Sequence, residues 1–485
     1  MYAGVQQTKL EREFPTPRDW SFWSRWHLRT AKYTEFDEDA KLHRVLTDWA
    51  RAAFYYGRVL ERLEDENVDG KFLIEQDIGG ILVEGVGKTG YDISMKSDQW
   101  RRGYYEALIG AARTSEHLEG MCKRKGEERG RLYPYESIPG PSNPRPKPMP
   151  WDKRGYHEHV PSEFEVEPAF PAPETFYMRI LTTKGFDNRQ RLDAALAYAD
   201  WCDFKGLIET AGNMYNWALD IAAGGLPTGA DGVVDIRTGV IAKGKEEYVS
   251  ENLLRATTSL GVHHARRGEV KEALPVFLSV LRARKSLRPL PVGFRQENQA
   301  TRKDESGLWS YLLAFKDLIV EAPYPKPPSS GDEPPFHTLK EACEEVGLMT
   351  YIGEILFATS MSEKEKGLSW TRDSVEAAEA VMWVMDEQKQ EDGRERCREC
   401  LETGLQNWKA MAKQMSQLAV QAESEAEKST GWLGTGMGKM QKVEHAKTEV
   451  MRWEEEETQI ELRRQKTLPL TQPLKPTASG WMSMS

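Results

Sequence analysis

The chain has 485 residues, 39% hydrophobic and 29% charged, with a formal net charge of −10. Its length accommodates two or three ordinary domains or one long solenoid, and the polar balance suits a thin, surface-rich architecture with some unstructured stretches. The acidic balance argues against general nucleic-acid binding, five cysteines are too few to make a disulfide framework, and no apolar run is long enough to span a membrane.

Residues 1–40 form an N-terminal segment in which Lys9, Arg12, Arg18, Arg25 and Arg29 alternate with Glu11, Glu13 and Asp19. That mixture is too acidic for a transit peptide and lacks a secretory hydrophobic stretch. Over 41–64, Leu42, Val45, Leu46, Trp49, Ala53, Tyr56, Leu60 and Leu63 keep one helical face apolar. A glycine-rich, partly extended stretch follows at 70–95. Ser97 and Asp98 then cap a second helix through Trp100, Tyr104, Leu108 and Ala112. The span 41–133 reads as a degenerate helical repeat.

Residues 134–174 are dense in proline, centred on 139–150, and predict an extended linker or a strap over the surface. From 175 to 428 the chain is helical again. It contains two clear hairpins, a loop near 224–246 and helices at 306–320 and 337–360. A third, weaker hairpin opens at Tyr351-Ile352-Gly353 and is completed by a helix at 370–387. A long helix over 393–428 suits a terminal cap, with Leu401, Leu405, Trp408, Ala412, Met415 and Ala419 on one face. Residues 429–485 read as a flexible charged tail: a loop to 440, an exposed helix over 441–464, then a disordered end. The basic run Arg282, Arg284, Lys285 and Arg288 reads as a solvated helix end.

The two hairpins, Ala195–Ala218 and Thr257–Val280, align on Ala211 and Ala273. Ala199 and Gly261 are small where the second helix must approach the first. Gly206 and Gly268 can adopt the left-handed conformation that ends a helix. Tyr215 and Phe277 are expected to fill the space between repeats, and Ala218 is small again. This pattern resembles the tetratricopeptide repeat. The resemblance implies an all-α fold, a right-handed superhelix of helical hairpins with proline-rich insertions, whose concave face binds proteins or peptide segments. By position on the first helix of each hairpin, the contact residues are Leu196, Asp200, Asp203, Arg255, Thr258, Val262 and Arg266. The lysine and asparagine with which some members grip a chaperone C-terminus are absent, since Leu196, Asp200, Thr258 and Val262 hold those places.

Other constellations carry less. Gly85-Val-Gly-Lys-Thr89 lacks the first glycine of a phosphate loop, and Gly431 to Gly438 lacks the flanking strand and apolar helix. Cys397-Arg-Glu-Cys400 has redox spacing at a helix start but only half of a zinc ligand set. His157-Glu-His159 lies in the proline-rich stretch. Of His263 and His264, the second is expected to pack and the first to face solvent. No catalytic set, metal or cofactor is expected.

The whole layout is similar to fungal tetratricopeptide mitochondrial proteins of the inner-membrane adaptor family that serves the i-AAA protease. Pro15 to His27, Leu192 to Trp201 and Cys397 to Trp408 carry the likeness. It implies a non-catalytic adaptor presenting clients to a mitochondrial AAA protease. That family has a presequence and one span ahead of its repeats, and neither is seen here. Either an anchor lies upstream of Met1 or the likeness is one of fold alone, with a cytoplasmic protein as the result. A structural subunit of a soluble complex and a thiol-redox protein using Cys397 and Cys400 are the alternatives.

Overall fold

The computed structural model describes residues 7, 10–36, 47–75, 90–127, 130–149, 160–227, 232–291, 324–390, 392–429 and 437–471. It is mostly helical and divides into two compact units, Met1–Gly225 with Gln296–Asp332 and Leu226–Arg295 with Glu333–Ser485. The helix expected at 306–320 lies outside the described residues.

The first unit contains helices α1 (Phe22–Phe36), α2 (Trp49–Glu64), α3 (Asp98–Leu118), α4 (Pro173–Thr182), α5 (Asn188–Phe204) and α6 (Ile208–Gly224), each packed on its neighbour in sequence. Side-chain caps begin three of them: the one at Ser97 is expected, while the helix expected over 41–64 begins at Trp49, with 37–46 outside the described residues. Asp48 accepts the Arg51 N–H at 3.0 Å, Ser97 accepts that of Trp100 at 3.0 Å, and Asp187 and Gln190 form a capping box. Two carboxylates, buried Glu35 and half-buried Glu64, join the helices. Glu35 on α1 accepts the Tyr56 hydroxyl of α2 at 2.5 Å and pairs with Arg113 of α3 at 2.8 Å. Glu64 on α2 accepts the Tyr104 hydroxyl of α3 at 3.0 Å and pairs with Arg179 of α4 at 2.6 Å.

The proline-rich stretch is not a free linker over its described part. Strands β1 (Ile74–Glu75) and β2 (Tyr91–Asp92) pair with each other. Strands β3 (Met121–Arg124), β4 (Tyr133–Pro134) and β5 (Val166–Pro168) form an antiparallel sheet in the order β4-β3-β5. Pro134 and Pro168 sit on its two outer strands, where a missing N–H is tolerated. Cys122, Tyr133, Ile138, Met149 and Val166 make a small core beneath.

The second unit contains α7 (Glu251–Arg266), α8 (Val270–Lys285), α9 (Leu339–Thr359), α10 (Lys364–Gln388), α11 (Arg394–Ser429) and α12 (Met437–Thr471). Arg284 is buried and paired with Glu341 of α9, so the basic run is solvated only in part. At the α9–α10 crossing, a Cβ on Gly353 would meet the Gly367 carbonyl oxygen at 3.0 Å, so the two backbones touch. The expected flexible tail is α12 as far as Thr471, and 472–485 lie outside the described residues. Trp453, Ile460 and Leu470 are buried in the same core as α10 and α11. Glu456 accepts the Trp408 indole N–H and pairs with Arg372, each at 2.7 Å, while Arg463 pairs with Glu379. The charge-rich stretch around 454–457 obscured this, because its apolar stripe has one residue per turn or fewer.

The two hairpins have congruent turns. Lys205 and Arg267 both have φ −79° and ψ −7°; Gly206 and Gly268 both have φ +75°. Leu207 and Glu269 follow at ψ 62° and 65°. The hydrogen bonds also repeat. Gly206 N–H reaches Asp203 O at 3.0 Å and Leu207 N–H reaches Cys202 O at 2.9 Å. Gly268 N–H reaches Ala265 O at 3.0 Å and Glu269 N–H reaches His264 O at 2.9 Å. In the second hairpin a Cβ on Gly261 would lie 2.8 Å from the Phe277 ring.

A disulfide joins Cys343 of α9 to Cys397 of α11 across 54 residues of sequence. Three stability predictions follow from these contacts. Gly206→Ala and Gly268→Ala each meet open space, so both should cost only the left-handed backbone strain, about 1 kcal/mol each in urea unfolding. Unequal losses would mean that the turns differ in solution. Gly261→Leu should cost about 3 kcal/mol through overpacking against Phe277, and unchanged melting would rule out the close approach. Removing the disulfide by Cys343→Ala should cost on the order of 4 kcal/mol from the freed loop, read as a lowered denaturation midpoint relative to the oxidised chain.

Candidate functional site

The contact residues expected on the first helix of each hairpin fall into two groups. Leu196, Asp200 and Asp203 lie on α5 in the first unit; Arg255, Thr258, Val262 and Arg266 lie on α7 in the second. Leu196 is buried in the core and cannot contact a partner, which corrects that assignment. It falls between Ala195 and Tyr198 on a helix whose inward stripe is wide. Asp200 is exposed, but the Tyr215 hydroxyl donates to it at 2.8 Å and to Asp203 at 3.2 Å. Burial and these two carboxylates push the Tyr215 phenol well above its ordinary range.

The second hairpin solves the same packing without polar groups. Phe277 replaces Tyr215, while Val262 and Ala265 replace the two aspartates. The aspartates of α5 are thus partners of a buried tyrosine before they are ligand contacts. Thr258, half-buried, donates its hydroxyl to the Leu254 carbonyl at 2.6 Å, so that donor is used within the helix. Arg255 and Val262 are half-buried, and Arg266 is exposed. The other repeat positions, Ala199, Ala211, Ala218 and Ala273, are buried.

The histidine assignment is reversed. His263 is buried, whereas His264 is half-buried with Nδ1 2.7 Å from Glu269 Oε2. The hydrogen bond from His264 holds the Glu269 carboxyl below its usual range. His263 stands seven residues after Ala256 and three after Leu260, so helical spacing alone placed it on the buried stripe.

The hairpin tip carries a surface that the sequence reading passed over. Phe204, Leu207 and Ile208 flank Gly206 and are 87%, 48% and 47% exposed. The signal was there in three large apolar residues within five positions at a glycine turn. A cleft of about 520 Å³ also opens in the first unit. One wall is α2, where the Arg58 guanidinium lies 5.4 Å from the Phe54 ring and that of Arg51 lies 5.9 Å from Tyr55. Lys123 and Phe170 also line the cleft. Such a surface offers aromatic faces and cations together, which suits polypeptide contacts.

The thiol chemistry differs from the expected pair. Cys397 is bonded to Cys343 and not to Cys400, which remains a buried thiol pushed up to about 11 by burial. Helix spacing favoured the local pair; the approach of α9, which no local pattern encodes, supplied the other partner. Among the described residues no group of three or more histidine, cysteine or acidic side chains could hold a metal, and no helix is long and apolar enough to cross a membrane. Gly85–Thr89, His157–His159 and residues 431–436 lie outside the described residues. Comparison with models of known families, with curated proteins and with solved structures returns no match.

Proposed function

We propose that the chain is a non-catalytic protein-binding scaffold of tetratricopeptide type, an α-solenoid whose hairpins offer their first helices to polypeptide partners. The observation that supports this reading is the congruence of the two hairpins, with the same dihedral angles and hydrogen bonds at Gly206 and Gly268. A repeated rigid unit with divergent surface residues is what a modular binding surface needs. The outward groups are Asp200 and Arg266, with half-buried Asp203, Arg255, Thr258 and Val262 beside them. The exposed apolar tip at Phe204, Leu207 and Ile208 adds an anchor of the type that interfaces bury.

On the resemblance of layout, the partner is a mitochondrial AAA protease and the bound polypeptides are its clients. The Cys343–Cys397 bond favours a chain that matures in an oxidising compartment, since cytosolic thiols are kept reduced.

Affinity purification of the tagged chain, beside its Arg255→Glu/Arg266→Glu variant, tests the reading. A AAA protease with many substoichiometric clients should co-purify, and the variant should lose clients at least tenfold while remaining folded by circular dichroism. Clients retained equally by the variant would remove α7 from the binding surface. One partner at constant stoichiometry, with no protease, would make the chain a structural subunit instead.

A further inference from the structure

Three of the five cysteines converge where α9 crosses α11. Cys343 and Cys397 are bonded, and Cys400 lies one turn beyond Cys397 on α11. The Cys400 thiol lies 3.9 Å from the Cys343 carbonyl oxygen, and its sulfur stands 3.4 Å from where a Cβ on Gly347 would be. Gly347 therefore leaves room for the third sulfur beside the bond. On a regular helix, positions three apart have Cα atoms roughly 5 Å apart, within the span a disulfide bridges. Cys397 is in the first turn of α11, its N–H bonded to the Gly393 carbonyl at 3.1 Å, and a first turn adjusts more easily than a helix interior.

We propose that Cys343, Cys397 and Cys400 form a thiol–disulfide exchange site that can release α9 from α11. The Cys400 thiolate attacks Cys397 Sγ, a Cys397–Cys400 bond forms, and Cys343 leaves as the thiolate. One sulfur–sulfur bond forms as another breaks. The proton lost by Cys400 is regained at Cys343, so neither oxidant nor reductant is consumed. The covalent tie between two helices becomes a tie within one.

The surroundings set the resting state. Burial holds the Cys400 thiol protonated, Glu344 of α9 and Glu399 of α11 reinforce this, and Arg396 opposes it. Arg396 is itself bridged to Glu344 at 3.6 Å and to Glu399 at 3.7 Å. The cross-link is accordingly stable near neutral pH and exchanges faster as the thiolate fraction rises.

The test is disulfide mapping of the native full chain held at pH 7.5 and pH 9.5. Samples are quenched in acid at intervals, alkylated with N-ethylmaleimide and digested for mass spectrometry. Far-ultraviolet circular dichroism checks that the fold persists at both pH values. The Cys397–Cys400 peptide, with Cys343 alkylated, should accumulate about a hundredfold faster at the higher pH, because the thiolate fraction grows tenfold per unit below its pKa. Cys400→Ser should retain Cys343–Cys397 throughout, and Cys400→Ala serves if the serine variant does not fold. Cys343–Cys397 persisting as the sole linkage at both pH values would overturn the proposal. So would five free thiols in the oxidised preparation, or a Cys343–Cys400 bond alone, which would keep the two helices tied.

Discussion

Among the described residues, several helix crossings are close because one side carries little or no side chain. Gly261 beneath Phe277 and Gly353 against Gly367 are the clearest cases, and Gly110 under the Tyr56 ring is another. Each such contact sets the spacing of a helix pair, filled by a ring at Gly261 and Gly110 and by backbone against backbone at Gly353 and Gly367. Interiors are packed so tightly that an added methylene must displace something. The hairpins therefore depend less on helix propensity than on which positions stay small.

Carboxylates that are buried or half-buried also specify which helices meet. Glu35 and Glu64 each join three helices of the first unit, and Glu341 and Glu379 join pairs in the second. Burial raises the Glu64 and Glu341 carboxyls despite their arginine partners, so desolvation outweighs the attraction. Such pairs add little net stability. Their weight lies in the penalty for any packing that leaves one partner buried alone. In a mostly helical chain, where apolar stripes resemble one another, that penalty discriminates between neighbours.

The two hairpins handle the same space differently. Tyr215 needs an acceptor for its buried hydroxyl and finds Asp200 and Asp203; Phe277 needs none, and Val262 and Ala265 stand opposite. The frame is conserved between the hairpins while their surfaces diverge, from an apolar tip around Gly206 to a charged one around Gly268. A partner would therefore meet different chemistry at each hairpin on the same backbone geometry.

Local patterns in the sequence determined the helical class, the cap at Ser97 and both glycine turns, because each rests on a few residues close along the chain. The same periodicity also contained the burial of His263, three residues after Leu260 and seven after Ala256. Tertiary structure decided the rest. Leu196 became core, Arg284 found Glu341, and the proline-rich stretch supplied the edge strands of a sheet whose centre lies before it. The charged end of the chain folded inward on Trp453. Cys397 bonded to Cys343 rather than to Cys400. In each case the deciding partner is distant in sequence, and the energy of bringing distant groups together depends on packing that no local spacing records.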